Sequence, residues 1–358
     1  MDKYKQMKDE IILLPEWHPQ DAILMALPHE DTDWAYMLDE AKECFYQIIN
    51  AISKSGEAVI LLVQNKNDYK YAINKFGDNV FPAIIPFNDT WTRDFGPIFI
   101  QNGNIPVCLD FKFNGWGLKF AADKDNQVTG LMTCKNIFSE KVIYQNRLNF
   151  VLEGGSIETD GNGILLTTAY CLLSPNRNGE WDRPKIENYL KTVLGLKKIL
   201  WLNNKPLEGD DTDGHIDTLA RFCNQKTIVY VNCNDKTNSN YLTLRNMEEE
   251  LKNFSLLNGE SYNLLPLPLP EPIICNGKQL PATYANFLII NNAVLIPTYK
   301  SPNDKEAINT ITSLFPDRKV IDIDCSALIK QNGSLHCATM NLPAGSVNFE
   351  LLKKIRMN

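Results

Sequence analysis

Five side chains of this 358-residue sequence could cooperate in chemistry: Cys337, His215, Asp94, Glu153 and Asp217. Cys337 closes the stretch Gly333-Ser334-Leu335-His336-Cys337, after the polar residues Lys330-Gln331-Asn332 and before Ala338-Thr339-Met340-Asn341-Leu342-Pro343. That order predicts a loop delivering a cysteine to the start of a short strand. A thiolate there attacks electron-poor carbon near neutral pH once its pKa is lowered. Taken alone, such a cysteine reads better as a small buried hydrophobe. Asp94 alone could be a turn residue, Glu153 part of a glycine loop, and His215 a satisfied polar side chain. His336 is expected to be a bystander, because adjacent strand side chains point to opposite faces. Asp217, two positions after His215, shares a face with it if that segment is extended.

The elements that must position these residues can be read from hydrophobic spacing. Asp21–Leu27 reads as a strand stopped by Pro28, and Trp34, Met37, Leu38, Ala41, Phe45, Ile48 and Ile52 keep helical spacing until Gly56. A strand over 57–63, a helix near 68–76 and a strand near 80–85 follow. Hairpins then start near residues 94, 153, 215 and 286, each leading through a crossover, helical where clear, into a further strand. The same hairpin–crossover–strand unit thus recurs without repeated sequence. A fifth copy would begin at Cys337 and can close only by pairing its strand with 21–27, which predicts one ring of five ββαβ units in a single domain spanning 1–358. Asp94, Glu153, His215 and Cys337 head successive units. In a ring they would meet at one mouth, and that coincidence makes Cys337 a nucleophile rather than a packing residue.

A thiol protease needs cysteine and histidine with one orienting group, not a nest of acids. Extra carboxylates beside a thiol raise its pKa, a cost that makes sense if the substrate is cationic. A guanidinium is planar, permanently charged and matched to carboxylates two N–H groups at a time. Asp94 and Asp217 would clamp it, Cys337 would attack its carbon, His215 would protonate the leaving nitrogen and activate water, and Glu153 would orient His215 by a hydrogen bond. No cofactor and no metal are needed. The acidic run Glu208-Gly209-Asp210-Asp211-Thr212-Asp213 permits a divalent-metal site instead, a solvated loop, or recognition of a second cationic end of the substrate.

Bulk properties narrow the classes. The chain is 44% hydrophobic and 22% charged, with net charge −7, so it has material for a core and no basic stripe for nucleic acid. Nine scattered cysteines without a CxxC pair point to neither disulfides nor zinc. Met1-Asp2-Lys3-Tyr4-Lys5 leads into no signal-peptide core, and apolar runs such as 58–63 are too short to span a bilayer. A reduced, cytoplasmic protein is expected, with no membrane partner; a homo-oligomer stays open.

At these residues the chain resembles the agmatine deiminase family of the guanidino-group-modifying (pentein) superfamily. The resemblance runs over nearly the whole length and is carried by Trp91-Thr92-Arg93-Asp94-Phe95-Gly96-Pro97, Phe113-Asn114-Gly115-Trp116-Gly117, Leu152-Glu153-Gly154-Gly155-Ser156-Ile157-Glu158, Asp211-Thr212-Asp213-Gly214-His215-Ile216-Asp217 and Gly333-Ser334-Leu335-His336-Cys337. It implies a five-bladed α/β propeller, with Cys337 as nucleophile, His215 as acid/base, Glu153 as its partner, and Asp94 and Asp217 as guanidinium ligands. Trp91 and Trp116 fall in motifs that line the family's pocket. The implied reaction is agmatine plus water to N-carbamoylputrescine plus ammonia, a step toward putrescine and the polyamines. Asn332-Gly333-Ser334-Leu335 departs from the glycine-richer run common before the catalytic cysteine, and Asp213 stands where asparagine is common. Related enzymes act on arginine or peptidyl-arginine, so substrate choice stays open, as do amidino transfer and simple guanidino-compound binding. The acids Asp210 and Asp211 favour an amine at the far end of the substrate and repel a carboxylate. Arg221, on the same strand parity as His215, could bind a carboxylate or pair with a structural acid.

Overall fold

The sheets are built from buried apolar runs. Ala58–Val63 is buried at every residue, the pattern of a parallel strand covered on both faces. In the computed structural model, which describes residues 10–357, this strand lies between Gln20–Ala26 and Val80–Ile84, parallel to both. Helix Leu38–Lys54 connects the first two strands, burying Ala41, Phe45, Ile48 and Ile52 against the core while its polar face meets solvent. Asn65 caps the next helix, Lys66–Lys75, by accepting from the backbone N–H groups of Asn67 and Asp68. Residues Met1–Lys5, expected to carry no export signal, lie outside the described residues.

One arrangement recurs in five sheets. An antiparallel pair leads by a crossover into a strand parallel to its second member. The sets are Ile98–Asn102, Ile105–Lys112 and Ile143–Val151; Ile157–Thr159, Ile164–Thr168 and Lys198–Leu202; Ala220–Asn224, Thr227–Val231 and Asn263–Leu267; and Leu288–Ile289, Ala293–Thr298 and Lys319–Asp324. In the fifth, Met340–Pro343 pairs antiparallel with Gln20–Ala26 in the register Met340↔Leu24 and Asn341↔Ile23, so the two ends of the chain share a sheet. Ile11–Leu13 adds an edge strand beside Ile98–Asn102, an element too short to leave a hydrophobic period.

The hairpin heads differ from the extended strands expected. Three of the four begin with a short helical turn: Thr92–Phe95, Gly154–Ser156 and Ile216–Thr218. Likewise Cys337 sits in a turn, and its strand begins only at Met340. Alternation therefore does not apply to His215 and Asp217, nor to His336 and Cys337. Among the described residues no helix is long and apolar enough to cross a membrane, and all nine cysteines are free.

Candidate active site

The helical turns at the heads aim their side chains at one place. Asp94 is held from three sides. Its Oδ2 accepts from Trp116 Nε1 at 2.9 Å, its Oδ1 accepts from the Gly155 N–H at 3.0 Å, and His215 Nδ1 stands 3.5 Å from Oδ1. Gly155 has to be glycine, since a Cβ there would lie 2.7 Å from both Asp94 Oδ1 and His215 Nδ1. Trp116 reaches Asp94 from a left-handed backbone (φ 55°, ψ 47°) that non-glycine residues seldom adopt; local strain is stored where it aims the indole.

Cys337 is half-buried and lines a pocket with His215, Asp94, Trp91 and Trp116. Its carbonyl accepts from the Arg93 N–H at 3.1 Å, which staples the cysteine turn to the Asp94 turn. Its thiol lies 3.4 Å from Asn286 Oδ1 and 4.0 Å from Asp217 Oδ2. Burial, then the Asp217 and Asp94 carboxylates, push the thiol pKa well above its ordinary value. Burial likewise raises Asp94, helped by Asp217 and Glu153 and opposed by His215 and Trp116. For Asp217 burial is outweighed by His336, His215 and Arg221, so its carboxyl stands below the usual range and is ionised. For His215 burial disfavours the cation, but Asp94 and Glu153 are among the groups that reverse this and place its pKa well above that of free imidazole. Two buried atoms here have no hydrogen-bond partner in the protein: Asp217 Oδ1 and His215 Nε2.

Glu153 does not make the hydrogen bond to His215 expected of it. The separation is 4.0 Å, and both Glu153 oxygens accept from Arg177 Nε at 2.9 Å. Arg177 also donates to Asp213 Oδ2 at 2.5 Å and to the Thr212 carbonyl at 2.9 Å, so the guanidinium takes the carboxylate that was assigned to the imidazole. Glu153 faces His215 as a charge rather than as a hydrogen-bond acceptor. His336 is not a bystander either, because Nδ1 lies 2.7 Å from Asp217 Oδ2 and Nε2 lies 2.6 Å from Glu16 Oε2. Arg221 is fully buried, pairs with Glu158, and has NH2 2.9 Å from Glu16, which leaves it no route to a substrate carboxylate.

The acidic run after Glu208 is not a metal cluster among the described residues, where the converging groups are Glu153, Cys171 and His215, and Glu16, Glu158 and His336. Asp210 Oδ1 instead accepts from the Thr212 and Gly214 N–H groups, and Asp213 Oδ1 lies 2.7 Å from Lys119 Nζ. In the two converging groups, arginines already neutralise the acids: Arg177 on Glu153, and Arg93 and Arg221 on Glu16. Asp211 does line the pocket, its Oδ2 accepting from Asn332 Nδ2 at 3.0 Å, together with Asp33, Asp89 and Asp210. Burial, with Asp210 beside it, raises the Asp211 pKa. Gly333 lets Trp91 into the pocket wall, since a Cβ there would come within 2.4 Å of the indole.

A family model described as Porphyromonas-type peptidyl-arginine deiminase matches residues 12–343. The chain belongs to this family. A candidate agmatine deiminase from Vibrio parahaemolyticus is 31% identical over 92% of this chain and 96% of its own length. Among solved structures, a candidate arginine deiminase from Porphyromonas gingivalis is 48% identical, with TM-score 0.90 over 95% of this chain and all of that one. The Campylobacter jejuni agmatine deiminase, solved as a cysteine-to-serine variant with substrate bound, is 39% identical, with TM-score 0.87 over 93% of this chain and 96% of that one. These matches show a mixed α/β deiminase fold.

Within this deiminase-family site, three residues escape sequence reasoning. Asn286 heads the fourth hairpin, and its Oδ1 accepts from the His336 N–H at 2.9 Å and the Cys337 N–H at 3.3 Å. Its position at a hairpin start matches that of Asp94, Glu153, His215 and Cys337, and that was the available signal. Arg177, in the short helix Pro175–Asn178, and Glu16, in a turn, carry no such signal. Only the fold brings them to Glu153 and His336.

Proposed function

We propose that this chain is an agmatine deiminase, hydrolysing agmatine to N-carbamoylputrescine and ammonia without a metal or cofactor. The observation that carries the reading is the composition of the pocket. A thiol, an imidazole and the Asp94 carboxylate share a cavity with Asp33, Asp89, Asp210 and Asp211, and among the described residues no lysine or arginine lines it. A molecule cationic at both ends is the complement of such a wall. Arginine would bring a carboxylate to acids, with Arg221 engaged elsewhere.

The steps follow from the charges. The guanidinium docks between Asp94 and Asp217, where Asp217 Oδ1 awaits a donor. A cation about 4 Å from sulfur is worth on the order of 4 kcal/mol at an effective dielectric of 20. That is roughly three pKa units, enough to offset much of what the carboxylates add to the thiol. As the guanidinium docks, the Cys337 thiol gives its proton to water, and the thiolate attacks the guanidinium carbon, forming a C–S bond while the C=N π pair moves onto nitrogen. One terminal nitrogen takes a proton from the His215 imidazolium and leaves as ammonia as its C–N bond breaks. The resulting S-alkylthiouronium is attacked by water, whose proton passes to His215. Collapse breaks the C–S bond, regenerates the thiol and releases the ureido product. Asp211 and its neighbours hold the distal ammonium, and the faces of Trp91 and Trp116 flank the guanidinium.

We further infer that the five units close into one five-bladed α/β propeller domain in a cytoplasmic protein; the shared sheet of Met340–Pro343 and Gln20–Ala26 supports closure.

The test is ammonia release from equal amounts of agmatine, arginine and a blocked peptidyl-arginine. Agmatine should be turned over fastest, by at least about 100-fold, the scale of one unsatisfied charge in a buried site. Equal or greater turnover of peptidyl-arginine would overturn the assignment. Cys337→Ser should bind agmatine yet release no ammonia, and wild-type turnover by that variant would exclude thiol catalysis.

A further inference from the structure

The His336 ring is 2% exposed and gripped at both nitrogens, by Asp217 Oδ2 at 2.7 Å and Glu16 Oε2 at 2.6 Å. It lines a second cavity, separate from the thiol pocket, together with Glu16, Arg93 and Glu158. Contacts this short between ring nitrogen and carboxylate oxygen need a hydrogen on each line. Ionised carboxylates only accept, so the ring donates from both nitrogens and carries the charge. Burial opposes ionisation of Glu16, but Arg221, His336 and Arg93 overcome it and hold its carboxyl far below the ordinary range. The charges around the ring are then Glu16, Asp217 and Glu158 against Arg93 and Arg221. Asp217 is faced in addition by His215 and Asp94, by the Asn286 amide at 3.4 Å and by the Cys337 thiol at 4.0 Å. The backbone of the ring is pinned as well: the His336 N–H donates to the Asn286 carbonyl at 3.1 Å and to its Oδ1 at 2.9 Å.

We propose that Glu16 and His336 form a positioning relay for Asp217. Glu16 fixes the imidazolium, the imidazolium holds one Asp217 oxygen, and the other oxygen is left oriented for the cationic substrate. This makes the segment around Glu16, far from the reacting residues in sequence, part of the support of the site. The relay rests on Asp217 being a substrate ligand, as proposed above. It predicts that His336 acts through geometry and charge on Asp217, not through contact with substrate.

The wild-type chain carries a direct test. With 15N-labelled histidine, both ring nitrogens of His336 should give the shifts of N–H donors under the conditions of the activity assay. The His336 signal is assigned as the one that disappears in His336→Asn and His336→Gln. One bare ring nitrogen on His336 would overturn the relay. Two substitutions then separate positioning from general stability. The amide nitrogen of His336→Asn falls near Nδ1 and keeps a donor for Asp217, whereas that of His336→Gln reaches toward Glu16 and abandons Asp217. His336→Asn should keep kcat/KM for agmatine within about ten-fold at its pH optimum, and His336→Gln should lose at least about 100-fold, with KM raised. Both remove the cation, so the Asp217 pKa rises and the acid limb of kcat/KM moves to higher pH in each. Equal losses that track melting temperature, with the acid limb unmoved, would reduce His336 to a structural residue. Should wild type release no ammonia from agmatine, the function proposed above fails, while the nitrogen shifts still decide the relay.

Discussion

Asp94 is supported at both oxygens, with Trp116 and Gly155 donating to separate ones. Each oxygen retains a second lone pair, so these bonds aim the group without exhausting it. Trp116→Phe keeps the ring and removes the donor. A hydrogen bond to a charged acceptor is worth about 1.5–3 kcal/mol, so kcat/KM for agmatine should fall roughly ten- to 100-fold. Steady-state kinetics checks this, and a variant within two-fold of wild type would mean that the indole N–H does not position Asp94. Asp94→Asn removes the charge itself. About 2–5 kcal/mol of transition-state stabilisation, at least about 30-fold in kcat/KM, should be lost. The His215 pKa, which Asp94 helps to raise, should fall with it. Cys337 shows why single residues mislead. Its surroundings make it a poor thiolate in the free protein, and only a cationic ligand resolves that.

At the scale of elements, the loop before Trp91 is tied down by a reciprocal pair. Asp125 Oδ1 accepts from the Asn88 and Asp89 N–H groups at 2.6 and 3.3 Å, and Asn88 Oδ1 accepts from the Lys124 and Asp125 N–H groups at 2.8 and 3.2 Å. Asp125 Oδ2 is buried without a partner, and burial pushes this carboxyl up to about 8. The folded state therefore keeps a proton that the unfolded chain gives up near pH 4. Its contribution to stability is fully present below that point and is lost as pH rises toward about 8. Asp125→Asn keeps the acceptor and deletes the titration. Thermal unfolding should show the variant unchanged near pH 4 and more stable than wild type at about pH 8, by at least about 1 kcal/mol. A variant equal to wild type at the higher pH would mean that the carboxyl is ionised in the fold. The hairpin order was legible because strands and turns leave short-range patterns. The helical turns at their heads were not, since three or four residues carry no period.

For the whole molecule, net charge and pocket act in the same direction. The chain carries −7 overall, and Asp33, Asp89, Asp210 and Asp211 line the cavity beside Asp94. A cationic substrate is drawn in by such a field, which salt screens over about 10 Å at 0.1 M. Raising NaCl from about 20 to about 500 mM should lower kcat/KM for agmatine several-fold and leave kcat nearly constant. Stopped-flow or initial-rate measurements at low substrate read this, and salt-independent kcat/KM would remove steering from the account. The five-fold recurrence, the pairing of 21–27 with the chain end, and the set Asp94, Glu153, His215, Asp217 and Cys337 were all present in the linear sequence. They rest on residue type and on periodicities set by backbone geometry alone. What the tertiary structure decided was who touches whom. Arg177 displaces His215 from the Glu153 carboxylate, Glu16 reaches His336 across 320 residues, and Arg221 is withdrawn from the pocket. Each turns on a buried charge finding its nearest opposite, a choice made by distance in space that no spacing along the chain encodes.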